Sequence, residues 1–127
     1  MPRELPIPPT VAAQVRHIEY AEVSANVTVV ADSTIGRAVL TLPAKAINIQ
    51  SIRVYAPADY TGTYTIEIFD SEGNVIYRFT DASGTIVDLV QVTVSDPNAQ
   101  LIAKITLPTA PTTDTTFSVK LGFSYVA

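Results

Sequence analysis

After residue 10 the chain consists of short runs rich in Val, Ile, Thr and Tyr, cut at close intervals by Pro, Gly, Asn and Asp. Within the runs, apolar and polar positions alternate with a period of two, which puts successive side chains on opposite faces of a strand. Helical spacing is almost absent. Strand runs predicted from this pattern are 25–31, 37–42, 46–55, 63–69, 75–80, 85–94, 100–107 and the closing segment 115–127. Residues 11–23 are ambiguous, because their alanines would allow a helix while Ile18 and Tyr20 alternating with Glu19 and Glu22 fit a strand. About eight or nine strands at this spacing predict an all-β fold, a single antiparallel β-sandwich of jelly-roll or immunoglobulin-like topology. Both topologies read as strands and turns, so the pattern leaves the choice open.

The turns carry their own signals. "DSEGN" (70–74) between two alternating runs predicts a β-hairpin, with Gly73 and Asn74 supplying positive φ. "DASG" (81–84) and "SDPN" (95–98) predict further turns, and "PTAPTTD" (108–114) a stiff loop. In 63–69, Tyr64, Ile66 and Ile68 oppose Thr63, Thr65 and Glu67, the pattern of a sheet with one wet face. Tyr64 is expected to pack internally. In "TIVDLVQVTV" (85–94) both faces carry apolar residues, with Ile86, Val90, Val92 and Val94 on one and Val87 and Leu89 on the other. That strand is expected to be central in a sheet or to sit in a subunit contact.

The two ends stand apart. Residues 1–10, "MPRELPIPPT", hold four of the nine prolines, which cannot join a sheet interior or a helix. They predict an extended, polyproline-like arm ahead of a domain spanning 11–127. Leu5 and Ile7 give that arm two apolar side chains to place against a neighbour. At the other end Phe117, Val119, Leu121, Phe123 and Tyr125 alternate with small or polar residues. Burying five such side chains contributes on the order of 10 kcal/mol gross, comparable with the net stability of a whole domain. The last strand therefore belongs to a core. It either pairs within its own sheet or completes a neighbour's by strand addition.

Composition limits the chemistry. The 127 residues suit one domain, with 47% hydrophobic and 16% charged residues. A net charge of −4, with eight scattered Lys and Arg, argues against nucleic acid as a partner. The absence of cysteine removes disulfides, thiolate metal sites and cysteine nucleophiles. "MPRELPIPP" has no apolar core of a cleavable signal, and no apolar run is long enough to span a bilayer as a helix. His17 is the only histidine, between Arg16 and nearby Glu19, and is expected at the surface. The serines lack a nucleophile elbow, and five glycines form no phosphate loop. "DSEGN" lacks the Gly position and distal Glu of a calcium loop. "NVT" (26–28) matches a glycosylation sequon inside an expected strand and is read as chance. No catalytic, cofactor or metal residue is nominated. Tyr55, Tyr60 and Tyr64 gather in "YAPADYTGTY", and Tyr55 with Tyr60 form a candidate platform for carbohydrate.

A small β-sandwich with this proline-rich arm, an apolar strand at residues 115–127 and no catalytic set resembles small structural proteins of virions, such as capsid, decoration or fibre subunits. It also resembles strand-exchanging subunits of surface filaments. The resemblance implies self-association, extended arms and no enzymatic activity, with copies of itself or other virion proteins as partners and a virion location. The candidate assembly contacts are Leu5, Ile7, Phe117, Val119, Leu121, Phe123 and Tyr125.

Overall fold

In the computed structural model, residues 18–43, 46–94, 96 and 98–126 are described. The proline-rich arm, with Leu5, Ile7 and His17, lies outside the described residues. Eight strands follow in order: β1 (Ile18–Val29), β2 (Ile35–Thr41), β3 (Ala46–Tyr55), β4 (Thr63–Phe69), β5 (Val75–Ser83), β6 (Ile86–Thr93), β7 (Gln100–Thr106) and β8 (Thr115–Val126). They form two four-stranded antiparallel sheets, ordered β1-β8-β3-β6 and β2-β7-β4-β5. The pairs β1–β8, β2–β7, β3–β6 and β4–β5 are nested, as in one long hairpin folded over on itself. An immunoglobulin-like sandwich puts its first two strands side by side in one sheet. Here β1 and β2 lie in opposite sheets, which makes the fold a jelly roll.

The ambiguous N-terminal piece resolves into one long strand. The alternation starting at Ile18 continues without a break through Val29, and all twelve residues pair with β8, from Ile18 opposite Val126 to Val29 opposite Thr115. β8 is held on its other side by β3. The closing strand thus pairs within its own chain on both edges and has none to offer a neighbour. Its inward row, Phe117, Val119, Leu121 and Phe123, is buried.

The core lies between the sheets. Val27, Val29, Ile49, Ile52, Val54 and the β8 row face Leu40, Leu101, Ile105, Tyr64, Ile66 and Ile68 from the other sheet. Tyr64 is 1% exposed, its ring centroid lies 4.9 Å from that of Phe117, and its hydroxyl donates to the Gly84 carbonyl at 2.6 Å. A large aromatic ring can be buried here because its one polar atom has a partner. Glycine matters where β2 turns in beneath β1: a Cβ on Gly36 would collide with the Thr28 carbonyl oxygen. That close approach closes one side of the sandwich. On the other side the Tyr77 hydroxyl on β5 donates to Asp88 Oδ2 on β6 at 2.9 Å, tying the two sheets together.

The β4–β5 hairpin forms as expected. Asp70 Oδ1 accepts from the backbone amides of Glu72 (2.9 Å) and Asn74 (2.8 Å), and Gly73 alone takes positive φ, at 89°. These hydrogen bonds hold the Asp70 carboxyl below its usual range, with the Asn74 amide the largest cause. At the opposite end of the sandwich, the β7–β8 loop is fastened to the β1–β2 turn. The Ala31 amide donates to Asp114 Oδ1 at 2.9 Å and the Asp32 amide to the Pro111 carbonyl at 3.0 Å.

β6 is not central in its sheet, one of the two places expected for it. It is the edge strand beyond β3, and among the described residues nothing pairs with its other side. Its alternation is half-buried against exposed: Ile86, Asp88, Val90 and Val92 turn inward, Val87 and Leu89 outward. The apolar residues on both faces therefore do not mark a central strand.

Candidate interaction surfaces

The inward rows are used by the core, so functional chemistry has to come from the outward rows and the loops. Three such surfaces stand out.

The first is a groove of about 640 Å³ on the outer face of the β2-β7-β4-β5 sheet. The register sets Val39 opposite Ile102 and Ile102 opposite Phe69, giving an apolar row across three strands. One pleat along, Arg37, Lys104, Glu67 and Arg78 form a charged row. Glu67 accepts from Arg78 Nε at 2.9 Å and Nη2 at 2.7 Å, and lies 3.8 Å from Lys104 Nζ. The Lys104 ammonium also sits 5.9 Å from the Phe69 ring centroid, within cation–π range. Arg37 has no ion-pair partner among the described residues and remains available beside the apolar floor. Gln100 and the Asp70–Gly73 hairpin close the groove's end.

The second surface is the outer face of the β1-β8-β3-β6 sheet. Its middle mixes small side chains, Ser24, Ser51, Ser118 and Gly122, with a basic pair, Lys120 opposite Arg53, in the outward rows of three strands. Large apolar side chains rise at its two borders: Tyr20 on β1 (71% exposed), and Val87 (61%) and Leu89 (83%) on β6. A shallow hollow of about 260 Å³ lies between Tyr20 and Ser51, over Gly122.

The third is a crevice of about 360 Å³ at the loop end, between Asp59–Gly62 and the Thr-rich β7–β8 loop. Tyr60 lines it. Its hydroxyl donates to the Thr63 carbonyl at 2.5 Å, and its ring packs edge-on against Phe117 with centroids 5.5 Å apart. Burial raises its pKa.

These geometries locate the residues singled out by sequence. Tyr55 and Tyr60 do not share a platform. Tyr55 stands on the outer face of β3 opposite Ser118, with the Lys120 ammonium 5.4 Å from its ring centroid. Tyr60 packs on Phe117, which points to the inner side of the same sheet. The bulk of the sheet separates the two rings. Phe117, Val119, Leu121 and Phe123 fill the core of their own chain and reach no surface. Tyr125 is half-buried, and its hydroxyl donates to Glu19 Oε2 at 2.6 Å, which raises its pKa. Among the described residues, no three His, Asp or Glu side chains are grouped as metal ligands.

Sequence reasoning passed over Val39, Phe69 and Ile102. The available signal was phase. Each is an apolar residue on the outward beat of a strand whose inward beat is already apolar. Leu89 and Val87 carry the same signal, which fits a central strand or a subunit contact alike.

No family model matches the chain, and no curated protein matches it in sequence. Its shape is similar to that of several solved structures. A chain of the cyanophage Pam1 capsid asymmetric unit superposes with a TM-score of 0.53 and 16% identity, over 97% of this chain and 94% of that one. The protein FLHE superposes with a TM-score of 0.57 and 8% identity, over 85% of this chain and 96% of that one. A xylan binding module from Roseburia intestinalis aligns at a TM-score of 0.45 and 14% identity, over 89% and 96% of the two chains. Phage capsid proteins and carbohydrate-binding modules thus stand among its neighbours, and at these identities what is shared is the β-sandwich.

Proposed function

We propose that this chain is a non-enzymatic structural subunit that associates with copies of itself and with other virion proteins, as a capsid, decoration or fibre component. One observation carries the reading: Leu89, Tyr20 and Val87 stand in water along the borders of one sheet face. Scattered exposed apolar residues are ordinary, but a set this exposed on one face, beside a strand edge with no partner among the described residues, marks a surface that a partner covers. The whole-chain likeness to a capsid chain supports the same reading, since it matches the two proteins end to end. On this reading the protein works without a cofactor and, at a net charge of −4, makes no use of nucleic acid. Its place is the virion. Electron microscopy of the full chain at rising concentration tests the reading. The expected result is discrete particles or a regular lattice, or decoration of capsid shells added to the sample. Featureless single molecules with no affinity for any shell would overturn it.

A second reading rests on the groove of the other sheet. Phe69 offers part of an aromatic face, and Arg37, Gln100 and Lys104 offer donors around an apolar floor, the ingredients of a carbohydrate-binding surface. Binding to a glycan panel that is lost in Phe69→Ala, with the melting temperature kept, would establish it. A panel without hits would remove it.

A further inference from the structure

From the free edge of β6 we infer the partner and its register: a second copy of this chain pairs antiparallel along β6, making one continuous eight-stranded sheet across a twofold axis. This rests on the self-association reading and names the contact that produces it.

The four sheet edges are not equally protected. β5 is irregular, with two register shifts against β4, Asp81 at positive φ, and Arg78 exposed. Such bulges and charges blunt an edge. β1 and β2 cover each other where Gly36 meets Thr28. β6 has eight residues with a single charge, and that charge, Asp88, is turned inward to Tyr77. Its side-chain burial alternates without a break, its ladder with β3 has one register shift against the two of β5, and its unpaired edge is flanked by the most exposed large apolar side chain among the described residues, Leu89.

Register arithmetic then selects one pairing. A continuous sheet requires outward residues to face outward ones. One such antiparallel self-register sets Asp88 opposite Asp88, which like charges disfavour. Shifting the sum of paired positions by two sets Leu89 opposite Leu89, Val87 opposite Gln91 and Asp88 opposite Val90. A further shift separates the leucines and leaves each beside Gln91. Only the middle register buries Leu89 against itself while keeping the acids apart. Because the contact is isologous it closes on itself, so it yields a defined dimer rather than a fibre.

The test uses the full chain, which has no cysteine of its own. Leu89→Cys should form a disulfide-linked dimer under mild oxidation at least about tenfold faster than Asn26→Cys, an exposed control on β1 of the same face. Leu89→Lys should weaken dimerisation at least about tenfold and leave the melting temperature of the monomer unchanged. If association persists in Leu89→Lys and the two cysteine variants cross-link at equal rates, the β6 pairing is overturned and self-association through another surface stands. If the unsubstituted chain never associates, both fall.

Discussion

At the scale of single residues, stability depends on a few side chains whose polar atoms are satisfied inside the sandwich. Phe117 lies between Tyr60 and Tyr64 and has no exposed surface. Phe117→Ala should lower the unfolding free energy by about 3–5 kcal/mol in chemical denaturation, because the cavity is walled by two rings that cannot collapse into it. Tyr64→Phe should cost about 1 kcal/mol, through loss of the bond to the Gly84 carbonyl. The tyrosines also set an alkaline limit. Burial pushes Tyr64 up to about 12 from 10.0 and raises Tyr60, while burial and the bond to Asp88 raise Tyr77. A folded-state pKa above the unfolded one favours the native state below about pH 10. That stability is lost as pH rises through the folded values. Melting temperatures followed beside tyrosinate absorbance should therefore hold up to about pH 10 and fall steeply toward pH 12, with a shallower fall in Tyr64→Phe.

At the scale of elements, β8 is the member the fold cannot lose. It pairs with β1 over twelve residues and with β3 on its other edge. Removing 115–127 should leave an unfolded chain, seen as loss of β-sheet circular dichroism. A truncated chain that stays folded would mean β8 is not integral to its own sheet. Much at this scale was legible beforehand. β3, β4 and the hairpin after Phe69 fall where alternation and turn residues place them, because both are local properties. β1 was split by the alanines of 11–23, of which only Ala21 lies in the strand, where pairing with β8 overrides it. What was not legible is adjacency. Nothing local in 85–94 distinguishes a central strand buried on both faces from an edge strand whose outer face awaits a partner. Val39, Phe69 and Ile102 meet only because β2, β7 and β4 lie side by side. Tyr55 and Tyr60 are five residues apart in the chain yet belong to opposite sides of one sheet, since the chain turns out of β3 between them.

At the scale of the whole molecule, the jelly roll leaves two open faces with different chemistry. One has an apolar row edged by Arg37 and Lys104, the other a floor of serines and glycine around Lys120 and Arg53, edged by Tyr20 and Leu89. The proposed role assigns the second face and its β6 edge to assembly. The most direct test is the light-scattering mass of the full chain across a wide concentration range, run beside Leu89→Lys. The expected result is a concentration-dependent rise to a defined oligomer containing the β6 dimer, and a return of Leu89→Lys toward the 13.6 kDa monomer mass. A full chain that stays at the monomer mass at every concentration would contradict the account.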